Sequence, residues 1–115
     1  MKIKIYYTDV IPAPDFEERD GKMVGKDVEF ENLNYRLVWA GSEQKLDLAY
    51  TDDEETLESI FNFFNRQKPE KFFDETFRSV SIGDVICLEE RCYICQTIGW
   101  RRLENFETII VQSNK

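Results

Sequence analysis

Apolar and polar residues alternate along much of this chain, and the alternation predicts its strands. Ile3, Ile5 and Tyr7 fall on one side of a period-two pattern with Lys2 and Lys4 opposite, so the chain is expected to begin with a half-buried strand. Ile11-Pro12-Ala13-Pro14 breaks it, because proline offers no amide to a strand ladder. Tyr35, Leu37 and Trp39 alternate with Arg36, Val38 and Ala40, and Leu46, Leu48 and Tyr50 repeat the pattern after Ala40-Gly41-Ser42-Glu43. Two such runs joined by a short glycine-containing loop predict an antiparallel hairpin. Val85-Ile86-Cys87-Leu88 is continuously apolar and reads as a central strand buried on both faces, beginning after Gly83-Asp84. Glu89-Glu90 is expected to turn tightly into a returning strand over Cys92 to Ile98, which Gly99-Trp100 ends or bulges. Thr108 to Gln112 reads as a last strand.

One stretch follows the helical period instead. Leu57, Ile60, Phe61 and Phe64 lie at i, i+3, i+4 and i+7, on one helix face. Thr51-Asp52-Asp53-Glu54 reads as a capping box with Thr51 as the N-cap, and Asp52 to Glu55 complement the positive end of the helix dipole. Arg66 and Lys68 suit the other end, and Pro69 stops the run, so the helix is expected over Asp52 to Asn65. Residues 15–33 are less regular. Asp20-Gly21 signals a turn, and Val28 and Phe30 alternate with Glu29 and Glu31 as a short edge strand would, a flexible acidic loop being the alternative. Together these elements predict an α+β fold, a mostly antiparallel sheet of about five strands with one main amphipathic helix packed on it. Residues 1–115 contain no repeat, low-complexity segment or linker and are read as one domain, with 1–33 as an N-terminal strand plus acidic loop.

Charge and composition narrow the function. Fifteen Lys and Arg stand against 23 Asp and Glu, a net charge of −8, which disfavours direct binding of nucleic acid or an anionic membrane. There is no histidine, so Ser–His and Cys–His nucleophile pairs are excluded, and no zinc site can include an imidazole. No apolar run approaches the ~20 residues of a membrane span, and the start lacks a secretory h-region. With an odd number of cysteines, these features suggest a cytoplasmic protein.

Cys92-x-x-Cys95 with Cys87 invites a metal or redox reading, but residues three apart in a strand point to opposite faces. The three cysteines are expected to be buried free thiols. If Glu89-Glu90 forms a two-residue turn, Cys87 lies opposite Cys92, and a disulfide could close there under oxidation. Asp84, at a strand entry after glycine, is expected to bond turn amides, and so are Ser79 and Ser81, which lack a base partner. No catalytic residue, cofactor site or metal site is assigned.

Six of the nine phenylalanines lie between Phe61 and Phe77, more than one helix face can bury. Phe63 lies off the Leu57–Phe64 stripe, where it either covers the core edge or contributes to an exposed interface. Trp100 precedes Arg101 and Arg102, residue types enriched where proteins dock. Phe63, Phe73, Phe77, Trp100, Arg101 and Arg102 are therefore the candidate interaction surface for a protein partner.

The middle of the chain resembles the YodL-like domain family. The residues that carry the resemblance are Tyr35, Leu37 and Val38, then Thr56-Leu57-Glu58, Ile60-Phe61, Phe64-Asn65, Pro69 and Phe72. They continue with Ser79, Ser81-Ile82, Asp84-Val85-Ile86, Tyr93 and Gly99-Trp100, so the resemblance spans roughly 34–106. Residues 73–77 look like added length, and Gln96 stands where the family tends to carry an acid. The resemblance implies a setting in bacterial mobile elements and phages, often as one module of a larger protein, and no established catalytic activity. The expected function is thus a non-catalytic protein-interaction module. Two alternatives are an acidic DNA mimic that inhibits restriction or CRISPR defence, which the interleaved Arg19, Lys22, Lys26, Arg36 and Lys45 weaken, and an enzyme using carboxylates and a metal.

Overall fold

The structure is a computed structural model that describes residues 1–46, 48, 50–67, 72 and 77–113. In chain order it contains β1 (Lys2–Thr8), a hairpin of β2 (Phe16–Arg19) and β3 (Lys22–Gly25), β4 (Tyr35–Ser42), α1 (Asp53–Arg66), β5 (Val85–Leu88), β6 (Arg91–Cys95), β7 (Trp100–Leu103) and α2 (Phe106–Ser113). Single 3-10 turns occupy Phe30–Asn32 and Glu43–Leu46. The five longer-range strands form one antiparallel sheet in the order β4-β1-β5-β6-β7, and the fold is α+β.

The period-two pattern of β1 explains its central place. Ile3, Ile5 and Tyr7 face one core together with Val38, Trp39, Leu57, Ile60, Phe64, Ile86 and Leu88. Tyr6 faces a second core with Phe30, Tyr35, Val85, Cys87, Ile94, Leu103, Phe106 and Ile110. Helix α1 covers the first face and α2 the second, so the sheet is buried on both sides and β5 is apolar throughout. Opposite β1, Ile5 pairs with Trp39 and Tyr6 with Leu37, leaving Val38 as the extra residue of a bulge. The bulge lets Val38 and Trp39, neighbours in sequence, both enter the α1 core.

The α1 stripe behaves as its spacing requires. Leu57, Ile60 and Phe64 are at most 1% exposed, each worth roughly 1.5–3 kcal/mol of burial. Several expectations are corrected. The N-cap is Asp52, whose carboxylate accepts the Glu55 amide at 2.8 Å, while the Thr51 hydroxyl bonds the Glu55 side chain instead. The helix accordingly starts one residue later and ends one later than expected; Pro69, the expected stop, lies outside the described residues. The run at Leu46, Leu48 and Tyr50 forms no strand among the described residues: the 3-10 turn at Glu43–Leu46 buries Leu46 and redirects the chain. β4 pairs with β1. Val28 and Phe30 belong to no strand, and the strands of this region are β2 and β3, flanking Asp20-Gly21 in left-handed conformations. The strand beginning near Cys92 stops at Cys95, and Gly99-Trp100 opens β7. Thr108 to Gln112 lies within α2, where Phe106 and Ile110, four residues apart, both enter the second core.

A disulfide joins Cys87 to Cys92, directly paired across β5 and β6 with Cα atoms 3.9 Å apart. This corrects the expectation of three free thiols: the turn at Glu89-Glu90 sets the two residues opposite each other, leaving Cys95 as the free, buried cysteine. Asp84, 0% exposed, closes the approach to β5. It accepts both Arg78 terminal nitrogens, at 2.5 and 2.8 Å, the Thr8 amide at 2.9 Å and the Ser81 amide at 2.8 Å. Burial pushes its carboxyl up, against the pull of the Arg78 guanidinium. The guanidinium also lies 4.0 Å from the Tyr7 ring centre.

Candidate functional site

Helix α1 crosses the sheet toward the β6–β7 edge and leaves a groove between them. Its pinning begins at Asp53. That carboxylate accepts Arg91 Nε at 2.6 Å and Arg91 Nη2 at 3.0 Å, the Tyr93 hydroxyl at 2.5 Å and the Tyr50 hydroxyl at 3.0 Å. The Arg91 guanidinium, followed by the two phenols, holds the Asp53 carboxyl well below the usual range. The carboxyl is therefore ionised and weakly basic at neutral pH.

Beyond this cluster the groove opens to about 370 Å³, lined by Asp53, Glu54, Leu57, Glu58, Tyr93, Gly99 and Trp100. A smaller cavity of about 130 Å³ continues it past Glu58 and Trp100 to Phe61, Cys95 and Thr97. Trp100 Nε1 donates to Glu58 Oε1 at 3.0 Å, and the indole meets Phe61 edge to face at 6.3 Å. Gly99, at φ 75°, lets the chain turn back into β7. Cys95 sits beneath, its thiol pushed up to about 12, first by burial.

The β2–β3 hairpin extends this surface. A Cβ on Gly25 would stand 2.9 Å from Thr97 Cβ and 3.3 Å from the Ile98 amide, so the hairpin base presses on the turn that leads to Gly99. Phe16, Met23 and Ile98 are 46%, 63% and 64% exposed. Phe16 pairs with Gly25, so Phe16 and Met23 share the hairpin face that meets the turn.

The candidate residues named from sequence do not form one surface. Trp100 lines the groove, and Arg102 lies on the same face, paired in register with Tyr93. Arg101 points to the other face, where it donates to the Val28 carbonyl and lies 3.9 Å from Asp27. Phe63 and Phe77 are partly buried against the α1 core, with Phe77 stacked on Phe64 at 6.1 Å and Phe63 edge-on to it at 5.7 Å. Phe73 lies outside the described residues. Glu54, Glu58, Phe61, Tyr93, Thr97 and Gly99 were not singled out as a site. Glu58 and Tyr93 stand among the positions that carry the family resemblance, but only the folded chain brings them to Trp100.

Among the described residues, one trio of metal-ligand type converges: Cys87, Cys92 and Glu107. Its sulfurs are bonded to each other, and Glu107 accepts Lys4 Nζ and the Tyr6 hydroxyl, each at 2.7 Å, so this oxidised trio offers no open donor set. Burial pushes the Glu107 carboxyl up, but those two hydrogen bonds bring it below its ordinary value. No helix among the described residues is long and apolar enough to cross a membrane.

The fold and groove thus define a small α+β domain with an open, acid-rimmed cleft at one sheet edge. The chain belongs to the YodL-like domain family, whose model matches residues 5–106. The match starts well before Tyr35 and takes in β1, which lies inside the sheet between β4 and β5. No curated protein and no solved structure matches the chain. Of the positions that carried the resemblance, Leu57, Ile60, Phe64, Asp84, Val85 and Ile86 are buried. Glu58, Tyr93, Gly99 and Trp100 meet around the groove.

Proposed function

We propose that this chain is a non-catalytic, cytoplasmic protein-interaction module of a bacterial mobile-element or phage setting, and that the groove between α1 and the β6–β7 edge is its docking surface. The observation that carries this reading is the convergence of Glu58, Tyr93, Gly99 and Trp100 on one open cleft. The smaller cavity reaches Thr97, against which the hairpin base at Gly25 packs, and Phe16, Met23 and Ile98 are exposed apolar residues of that hairpin and turn, of the kind that proteins use to bind one another. Asp53, the most deeply engaged carboxylate there, is held ionised by Arg91, which makes it a poor general acid or base at neutral pH. The setting rests on the family resemblance. The DNA-mimic alternative is weaker, because Asp9, Asp15 and Glu17 are paired with Arg36, Lys26 and Arg19, which takes these three out of any phosphate-like row of bare carboxylates.

A photo-crosslinking amino acid at Ile98 tests the proposal, with Leu37 on the β4 edge as control. In bacterial extract the Ile98 position should give one discrete adduct, competed by unlabelled protein and lost with Trp100→Ala. Equal labelling from both positions, or no adduct together with turnover of a small molecule, would contradict it.

A further inference from the structure

We infer that the groove takes a cationic side chain, the guanidinium or ammonium of an Arg or Lys on a partner segment, at the end formed by Trp100, Glu58 and Glu54. The inference deepens the docking reading above and rests on it.

Three features converge. Glu54 and Glu58 are four residues apart on α1, so their side chains share one wall of the groove. Both are exposed, and among the described residues neither has a cationic partner. Like charges at this spacing repel, and a cation held between them relieves the repulsion. Second, Trp100 Nε1 donates to Glu58 Oε1 at 3.0 Å, which anchors that carboxylate beside the indole. An indole face and a carboxylate together make a site for an organic cation. Third, the chain's net charge of −8 draws cations toward the cleft over a longer range.

The other charges facing the groove do not cancel this. Asp53 and Arg91 neutralise each other through two hydrogen bonds. Arg102 shares the face of Trp100 and is paired in register with Tyr93, but among the described residues no ion pair joins it to Glu54 or Glu58. An anionic ligand would meet Glu54 and Glu58 directly. The volume of about 370 Å³ is near the lower end for ligand clefts and suits one long side chain of a docked segment.

The test is an NMR titration of the full chain with four peptides, Ac-Ala-X-Ala-NH2 with X as Arg, Lys, Gln or Glu. The Trp100 indole N–H and Gly99 amide report on the groove, and the indole of Trp39, 2% exposed, is the internal control. The Arg and Lys peptides should shift Trp100 and Gly99 saturably and bind about fivefold more tightly than the Gln peptide. Glu58→Gln keeps an acceptor for the indole and should weaken the Arg peptide by about two- to fivefold. Glu104→Gln, on the exposed turn before α2, should leave it unchanged. A Gln peptide that binds as tightly as Arg overturns the cationic preference and leaves the docking reading standing. No saturable shift at Trp100 or Gly99 with any peptide overturns the inference, whereas the docking reading stands or falls by the cross-link at Ile98.

Discussion

Removing the Asp84 carboxylate should unfold much of the margin by which this chain is stable. Asp84 is 0% exposed and is the common acceptor for four donors: two from Arg78, one from the Thr8 amide and one from the Ser81 amide. In Asp84→Ala the Arg78 side chain, 23% exposed, keeps the Ser79 and Thr8 carbonyls as hydrogen-bond acceptors and the Tyr7 ring as a neighbour, and two amides lose their acceptor. Breaking a buried ion pair from one side costs about 3–5 kcal/mol. Each abandoned amide adds up to ~1–3 kcal/mol, less what water entering the vacated space returns. A total of about 4 kcal/mol is expected, a large share of the ~5–15 kcal/mol typical of a domain. For a chain of this length that corresponds to a fall in Tm of roughly 12–20 °C. Urea unfolding followed by the fluorescence of buried Trp39 measures it. Arg78→Met should be milder, at roughly 2 kcal/mol, because burial already pushes the Asp84 carboxyl up and it can take a proton instead. The double variant Arg78→Met with Asp84→Leu should be milder than Asp84→Ala alone, since no buried charge is stranded. A cost below about 1 kcal/mol for Asp84→Ala, or a double variant no better than it, would refute the reasoning.

Four further predictions follow from other contacts of the fold. Because Arg91 lowers the Asp53 carboxyl in the folded state, its contribution is fully present above the unfolded value near 3.8 and lost as pH falls below it. Asp53→Asn should therefore flatten the acid limb of stability against pH by about 1 kcal/mol, allowing for solvent screening; a limb unchanged from wild type would contradict this. With its thiol pushed up to about 12 by burial, Cys95 should resist iodoacetamide at pH 8 in the native protein and react only after unfolding, as mass spectrometry would show. Reducing the Cys87–Cys92 bond, which closes a loop of sequence separation 5, should cost about 2 kcal/mol in urea unfolding and expose no thiol to rapid labelling without local opening. Gly41→Ala would place a Cβ 2.6 Å from the Trp39 ring, so it should cost about 1–3 kcal/mol and shift Trp39 emission; a silent substitution would show that the indole can move freely.

The parts of the fold legible in the sequence are those whose signals are local. The α1 stripe, the alternation of β1 and the apolar run of β5 each express a periodicity that burial then uses. The misread segments had local signals that the tertiary structure outweighed. Thr108, Ile109 and Ile110 favour a strand by propensity, yet Phe106 and Ile110 bury together only as successive turns of a helix. The alternation at Leu46, Leu48 and Tyr50 suggested a neighbour for β4, but the true neighbour, β1, begins more than thirty residues earlier. The groove was less legible still. Trp100 and Glu58 are 42 residues apart, and Asp53 and Arg91 are 38 apart. Nothing in the spacing of either pair announces contact. Trp100 and Arg102 stood out by residue type, while Glu58 and Tyr93 stood out only as positions of the family resemblance.

The most direct test of the docking surface is hydrogen–deuterium exchange on the chain alone and bound to the partner captured through Ile98. Slower exchange should be confined to the first two turns of α1 and to residues 96–103, with the outer strand β4 and helix α2 unchanged. Protection centred on β4 or α2, with the groove amides exchanging as in the free chain, would contradict the account.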